Sequence, residues 1–202
     1  MYWNEHKSAA VPWRHVSNSK GRAVAGFFAL AILAAAIIAA SVFAASGWPG
    51  ILGAGLGLLM LAVAIVDGRY FIIPNSLTIA TLALGLVYAA LVGGWPGVAD
   101  GLLRGAVLGF AFLTLRAGYQ WFRGRTGIGL GDVKLAGAGG LWLGWMMLPV
   151  AVEIAALAAL AAYALRWLAG RPVQRLTRVP FGLFFAPAIW LAWLIEAALT
   201  AG

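Results

Sequence analysis

Long apolar runs without charge recur along this chain, and they constrain its fold more than any other feature. One such run extends from Ala23 to about Ala45. The hydrocarbon core of a bilayer is about 30 Å thick, and roughly 20 apolar residues of helix span it. The chain is 63% apolar and 10% charged, with a mean hydropathy of +0.94, which is typical of a protein that needs lipid as its solvent. We therefore predict an all-α membrane protein.

Turn signals between the apolar runs predict about seven transmembrane helices. Glycine and proline interrupt helices, and Gly-Trp-Pro-Gly occurs at Gly47–Gly50 and again within Gly93–Gly97. The first run is longer than the apolar region of a secretory signal, so we expect an uncleaved anchor. We predict a basic cytoplasmic leader at 1–22, a first anchor at 23–46 and a membrane core at 47–202. The predicted spans are about 23–45, 51–66, 77–92, 98–117, 133–147, 150–168 and 181–199.

The distribution of Lys and Arg predicts which side of the membrane each loop occupies. The net charge of +8 could indicate nucleic acid, but basic residues of membrane proteins collect in cytoplasmic loops and meet anionic lipid there. They are concentrated in the leader and around Arg69, Arg123 and Arg175. We therefore predict a cytoplasmic N-terminus and no nucleic-acid partner. The chain has no cysteine, and both histidines, His6 and His15, lie in the leader, so we predict neither a metal site nor a cofactor.

Two acidic residues lie where predicted spans meet cytoplasmic loops. Asp67 follows the second span, where the carbonyl end of the helix disfavours a negative charge, and Asp132 begins the fifth, where free N–H groups favour one. Two carboxyl groups that share a proton can act as base toward water and as acid toward a carbonyl. On spacing alone, a solvated loop residue and an ordinary helix cap are the simpler interpretations. Asp100 and Glu196 are interpreted as interfacial groups.

Three ordered segments change that weighting. At 67–75 an aspartate is followed at a fixed distance by Ile-Pro-Asn, and at 129–135 the sequence reads Gly-Leu-Gly-Asp-Val-Lys-Leu. Pro-Phe-Gly-Leu-Phe-Phe-Ala follows at 180–186. Together they resemble the hallmarks of the type IV prepilin peptidase family, although Leu183 stands where that family has a second proline. Presenilin-like proteases share Gly-x-Gly-Asp, so the other two segments select the bacterial family. The resemblance covers about 50–198.

The resemblance implies an intramembrane aspartic endopeptidase of the bacterial inner membrane, with Asp67 and Asp132 as its catalytic pair at the cytoplasmic face. The implied partners are a prepilin or pseudopilin precursor, whose leader is cut, and the lipid bilayer; the oligomeric state stays open. Larger family members add a Cys-x-x-Cys domain and N-methylation, so a cysteine-free chain resembles the short form that only cleaves. Substrate-binding or loop-shaping roles are implied for Gly129, Gly131, Lys134, Pro74, Asn75, Pro180, Phe181 and Gly182.

Gly129 and Gly131 are expected to adopt backbone conformations that other residues cannot, which lets the backbone approach a substrate. Two other functions remain compatible with paired carboxylates in a membrane. A small proton-coupled transporter would relay protons through them, but it leaves the Ile-Pro-Asn and Pro-Phe-Gly segments unexplained. A non-catalytic assembly protein of a pilus or secretion complex would tolerate loss of both carboxylates.

Overall fold

The computed structural model describes residues 14–124, 127–170 and 180–200, with side chains from Val24 onward. All regular secondary structure in these residues is helical, which confirms the predicted all-α class. The side chains of the predicted leader, and of Arg125, Arg171, Arg175 and Arg178, lie outside the described part. The helices are α1 (Arg14–Ala44), α2 (Trp48–Tyr70), α3 (Asn75–Arg123), α4 (Leu130–Gly139), α5 (Met147–Leu168) and α6 (Phe181–Thr200).

The chain divides into two compact units, Met1–Ala36 and Ile37–Gly202. In the first unit, the large side chains of α1 are exposed wherever they are described, as Phe27 is at 70%. The second unit contains all of the predicted site residues. The predicted division at residues 22 and 46 stays a prediction.

Five helices are long and apolar enough to cross a membrane: α1 from Val24, α2, α3, α5 and α6. Large apolar side chains on these helices are exposed, among them Phe110, Leu160 and Trp167. So many exposed large apolar side chains are unfavourable in water but match the lipid-facing surface of a bundle whose backbone groups are satisfied internally. The chain is therefore a multi-pass membrane protein.

Helix α3 consists of two arms, 75–93 and 95–123, separated by a break at Gly94. The backbone of Gly94 is non-helical, with φ 60° and ψ −153°, and Pro96 follows. A Cβ atom added to Gly97 would lie 2.8 Å from the carbonyl oxygen of Ala89, a contact that a continuous helix does not allow over eight residues. The chain therefore reverses here, and the third and fourth predicted spans correspond to the two arms.

The predicted fifth span is wrong as a continuous helix. Helix α4 has ten residues, or about 15 Å, which is half of the bilayer core. Turns follow it until α5 begins at Met147. Glycine costs about 1 kcal/mol relative to alanine inside a helix, and Gly139, Gly140 and Gly144 fall where the helix was expected to continue. The count of seven transmembrane helices is therefore not confirmed.

The first part of the irregular segment after α4 is buried in protein, and several of the segment's backbone groups have distant partners. Leu141, Trp142 and Leu143 are at most 2% exposed. Both carboxylate oxygens of Glu196 accept the N–H of Gly144, at 2.9 and 3.1 Å, and Arg104 Nε donates to the carbonyl of Gly140 at 3.3 Å. Non-helical backbone at membrane depth is tolerated only when it is satisfied in this way. Glu196, interpreted from sequence as an interfacial group, thus holds the segment in place by accepting the Gly144 N–H.

Helices α2 and α6 run antiparallel in contact, and this brings two helix ends together. A Cβ atom on Gly53 would overlap the ring of Trp193, whereas one on Gly68 would lie 3.2 Å from Leu183 Cδ1. The last turn of α2 therefore lies beside the first turn of α6. Their shared core contains Leu56, Met60, Phe185 and Ile189, none more than 1% exposed.

Candidate active site

Asp67 lies in the last turn of α2 and points at the start of α6. The helix runs to Tyr70 rather than ending before Asp67 as expected from sequence. Phe71 is the residue that caps the helix. Its φ of 56° is left-handed, and its N–H donates to the Asp67 carbonyl at 2.9 Å. Pro74 prevents the helix from continuing. The side chain is 5% exposed, and its Oδ2 accepts the N–H of Leu183 at 3.0 Å.

The Pro-Phe-Gly segment shapes the surroundings of Asp67. A Cβ atom on Gly182 would lie 2.8 Å from Asp67 Oδ2 and 2.8 Å from Ile73 Cδ1, so any side chain at this position would displace one of them. Phe181 stacks on Phe185, with ring centroids 5.4 Å apart, which holds the first turn of α6 against the core. The carbonyl of Pro180 also accepts the Leu183 N–H, at 3.2 Å.

Asp132 is the third residue of α4, outside the five candidate spans, and is 8% exposed. Its Oδ2 accepts the N–H of Gly129 at 3.1 Å. Burial raises the pKa of Asp132 to about 6; the Gly129 hydrogen bond opposes this rise and the negative charge of Asp67 adds to it. Lost solvation therefore affects this pKa more than the Gly129 N–H does, which the position of Asp132 at a helix N-terminus did not indicate.

Both carboxyl groups line one cavity of about 210 Å³, formed where the segment after α2 meets the start of α4. Since one water occupies about 30 Å³ of liquid volume, the cavity has room for water molecules between the two acids. Proton donor, proton acceptor and water can therefore meet in a largely apolar space, the requirement for acid–base chemistry on a carbonyl. The lining residues are Asp67, Phe71, Ile72, Ile73, Gly129, Leu130, Gly131 and Asp132.

The two glycines of the Gly-Leu-Gly-Asp segment lie where space is tight rather than where the backbone conformation is special. Gly129 has φ −71° and ψ 151°, which any residue adopts, and Gly131 is helical, so the expected special backbone conformations are not found. A Cβ atom on Gly131 would lie 3.0 Å from Ile73 Cβ, and one on Gly129 would lie 3.1 Å from Asp132 Oδ2. Gly131 thus lets α4 approach the segment after α2, whereas Gly129 leaves room for the Asp132 carboxylate that accepts its N–H.

Three predicted site residues lie beside the cavity rather than in its lining. Pro74 precedes α3, and its carbonyl accepts the backbone N–H and the hydroxyl of Thr78, at 3.3 and 3.4 Å. Asn75 is the first residue of α3, and its Oδ1 accepts a hydrogen bond from Lys134 Nζ at 3.0 Å. Pro74 therefore starts the helix, whereas Asn75 and Lys134 join α3 to α4.

Sequence reasoning missed two groups that act on the site. The N–H of Leu183 contacts Asp67; the replaced proline was the available signal, because proline has no N–H to donate. Arg116 Nη1 donates to the carbonyl of Ile128 and so ties the glycine-rich loop to the second arm of α3. No sequence signal separated Arg116 from the other basic residues near the predicted cytoplasmic face.

Comparison with known proteins shows which family the chain resembles. The pattern of the type IV leader peptidase family matches residues 54–165, which include both aspartates. Three similar proteins are each called prepilin leader peptidase/N-methyltransferase. That of Aeromonas salmonicida is 30% identical over 76% of this chain and 52% of its own length. Those of Neisseria gonorrhoeae and Pseudomonas aeruginosa are each 34% identical, over 75% and 67% of this chain and 51% and 46% of their own lengths.

The chain thus spans about half the length of the curated relatives it matches. No solved structure matches it. The family pattern covers more than half of the chain and contains both acids that line the cavity, so this chain belongs to the type IV leader peptidase family.

Proposed function

We propose that this chain is an aspartic endopeptidase that cuts the leader from type IV pilin-like precursors at the cytoplasmic face of the bacterial inner membrane. The single observation that carries the proposal is the placement of two buried carboxyl groups, 65 residues apart in sequence, on one cavity at the ends of apolar helices. The family match and the names of the relatives support the same substrate class.

The proposed mechanism uses one proton held by the pair. We assign the proton of the pair to Asp132, whose pKa burial raises to about 6, and Asp132 donates it to the oxygen of the scissile carbonyl. Asp67 takes a proton from water as the water attacks the carbonyl carbon, which gives a tetrahedral intermediate. Collapse of the intermediate breaks the C–N bond and returns a proton to the leaving amine. The Leu183 N–H stabilises the negative charge on Asp67 while it acts as base.

The orientation and the extent of the activity belong to the same proposal. Arg69 and Arg123 lie near the ends of α2 and α3 on the side of the cavity, which supports a cytoplasmic face for the site and for the N-terminus. The relatives are named for two activities, but the cysteine motifs of the larger members have no counterpart in this cysteine-free chain. We therefore assign leader cleavage to it and not N-methylation.

Co-expression with pilin-like precursors encoded near the gene tests this function directly. Mass analysis of the product's N-terminus is expected to show loss of the leader without an added methyl group. Asp67→Asn and Asp132→Asn should each abolish the mass shift while the protein remains inserted. Glu153→Gln, which changes an exposed carboxyl on α5, is the matched control and should process normally. Full processing by either aspartate variant would remove the mechanism and favour an assembly role.

A further inference from the structure

A second, larger cavity opens beside the two carboxyl groups. It has a volume of about 540 Å³ and lies between the two arms of α3 and α4. Thr78 and Leu82 of the first arm, Leu102 and Ala106 of the second, and Gly137 and Leu141 form most of its apolar wall. Because Leu102 is 48% exposed, this groove faces the surface that the lipid would cover.

The groove lies next to the carboxylate cavity, because two chain segments contribute residues to both. After α2, Ile73 lines the carboxylate cavity and Asn75 lines the groove. At the start of α4, Asp132 lines the first and Lys134 lines the second. A polypeptide lying in the groove therefore needs only a few residues, at about 3.3 Å each when extended, to reach the two acids.

The groove carries a positive charge at the end nearest the acids. Lys134 is its one charged lining residue, and the side chain is exposed. An ammonium group has three N–H donors, and within the described residues a single hydrogen bond of Lys134, to Asn75, is found. The groove therefore complements an apolar body with a negative charge at one end.

We infer that the groove binds the apolar helix that follows the cleaved bond of the substrate, with a carboxylate in the first turn of that helix paired to Lys134. This inference rests on the proposed function, since it takes the leader to lie N-terminal to the helix. The first turn of a helix favours a negative side chain because its free N–H groups carry partial positive charge. Lys134 and the N-terminus of the substrate helix would therefore both stabilise a carboxylate at that position.

The dimensions and surface of the groove match a helix. From Lys134 to Leu141 the chain rises by about 10 Å, or two turns of a bound helix. Lipid-immersed helices associate through close packing rather than by the hydrophobic effect, and small residues permit it. Gly105, Ala106 and Gly137 form such a surface, and Gly137 has no neighbour closer than 3.7 Å to an added Cβ atom.

Site-specific photo-crosslinking tests the docking without requiring cleavage. The probe is a synthetic peptide with a basic leader and an apolar helix of about 20 residues that has glutamate in its first turn. A photoreactive phenylalanine replaces Leu102 or, as the matched control, Leu103, in the full-length protein with Asp67→Asn. Leu103 is similarly exposed, at 55%, but lies outside the groove. We expect crosslinks at least tenfold stronger from position 102.

A charge exchange tests the role of Lys134. Lys134→Glu should weaken crosslinking from position 102 at least fivefold, and a probe with lysine in place of its glutamate should restore it. Equal crosslinking from both positions, or none to the peptide as for a groove filled by lipid, would overturn the docking site; an unchanged signal with Lys134→Glu would overturn the pairing. If the peptide crosslinks but the unmodified protein does not cleave the precursor, the proposed function is refuted, whereas the inference that the groove binds an apolar helix is supported.

Discussion

Gly182→Ala is the smallest change that should disturb Asp67, because it adds one carbon at the point of closest approach. The new Cβ would lie 2.8 Å from Asp67 Oδ2 and 2.8 Å from Ile73 Cδ1, closer than carbon and oxygen atoms pack. Ile73 can rotate its terminal methyl, but Asp67 Oδ2 also accepts the N–H of Leu183 and cannot retreat without weakening that bond.

The expected cost follows from these contacts. Overpacking of a buried site costs about 1–3 kcal/mol, and a weakened hydrogen bond to a charged group costs about 1.5–3 kcal/mol. Alanine recovers roughly 0.5–1 kcal/mol of helix propensity. The net cost is then about 1.5–5.5 kcal/mol. If about 1.5–3 kcal/mol of it falls on the reacting geometry, kcat/KM for precursor cleavage drops by about 10- to 100-fold.

Cleavage of a precursor in detergent, followed by mass spectrometry, measures the effect of Gly182→Ala. The control is Gly118→Ala, also within a helix, where an added Cβ meets no atom within 4 Å; it should keep full activity. Wild-type kcat/KM in Gly182→Ala would refute the assignment of this glycine to the packing around Asp67.

Three further predictions concern the same framework. Leu183→Pro removes the N–H that Asp67 accepts but installs the residue usual in the family, and proline is tolerated in a first helical turn; it should therefore still cleave, within about tenfold of the rate of Leu183→Ala, which keeps the N–H, and loss of all cleavage would show that this chain depends on the Leu183 N–H. The raised pKa of Asp132 means that the folded state binds its proton more tightly, so its contribution to stability is present below about pH 4 and is lost as the pH rises through about 6. Asp132→Asn should therefore raise the midpoint of thermal unfolding in detergent at pH 7.5 and flatten its pH dependence between 4 and 7; no change at pH 7.5 would contradict this. Gly144→Ala would overlap the carboxylate of Glu196 and should lower the unfolding midpoint by several degrees, unlike Gly118→Ala.

The helix boundaries show where reasoning from the sequence succeeds. The break at Gly94 and the helices ending at Leu168 and beginning at Phe181 agree with prediction, because glycine, proline and apolar length act locally. Helix α4 could not be bounded in the same way. No charged residue follows from Leu135 to Met147, so the sequence predicted a longer helix. The partners that replace the missing helical bonds, Arg104 and Glu196, come from distant segments.

The pKa of Asp132 illustrates the same limit at the site. Its position at a helix start predicted that the negative charge is favoured, whereas burial by surrounding segments raises its pKa to about 6. The roles of Gly131 and Gly182 were likewise hidden, since each is needed for a neighbour that is more than 50 residues away, Ile73 or Asp67.

The amino-acid order by itself determined that the chain is helical and lipid-embedded, and its motifs singled out Asp67 and Asp132, because apolar length and short motifs are properties of contiguous residues. Only the tertiary structure decided that the two acids line one cavity, that α4 stops halfway, and that a groove lies next to that cavity. Each of these depends on how distant helices meet, and therefore on packing, which no local segment specifies.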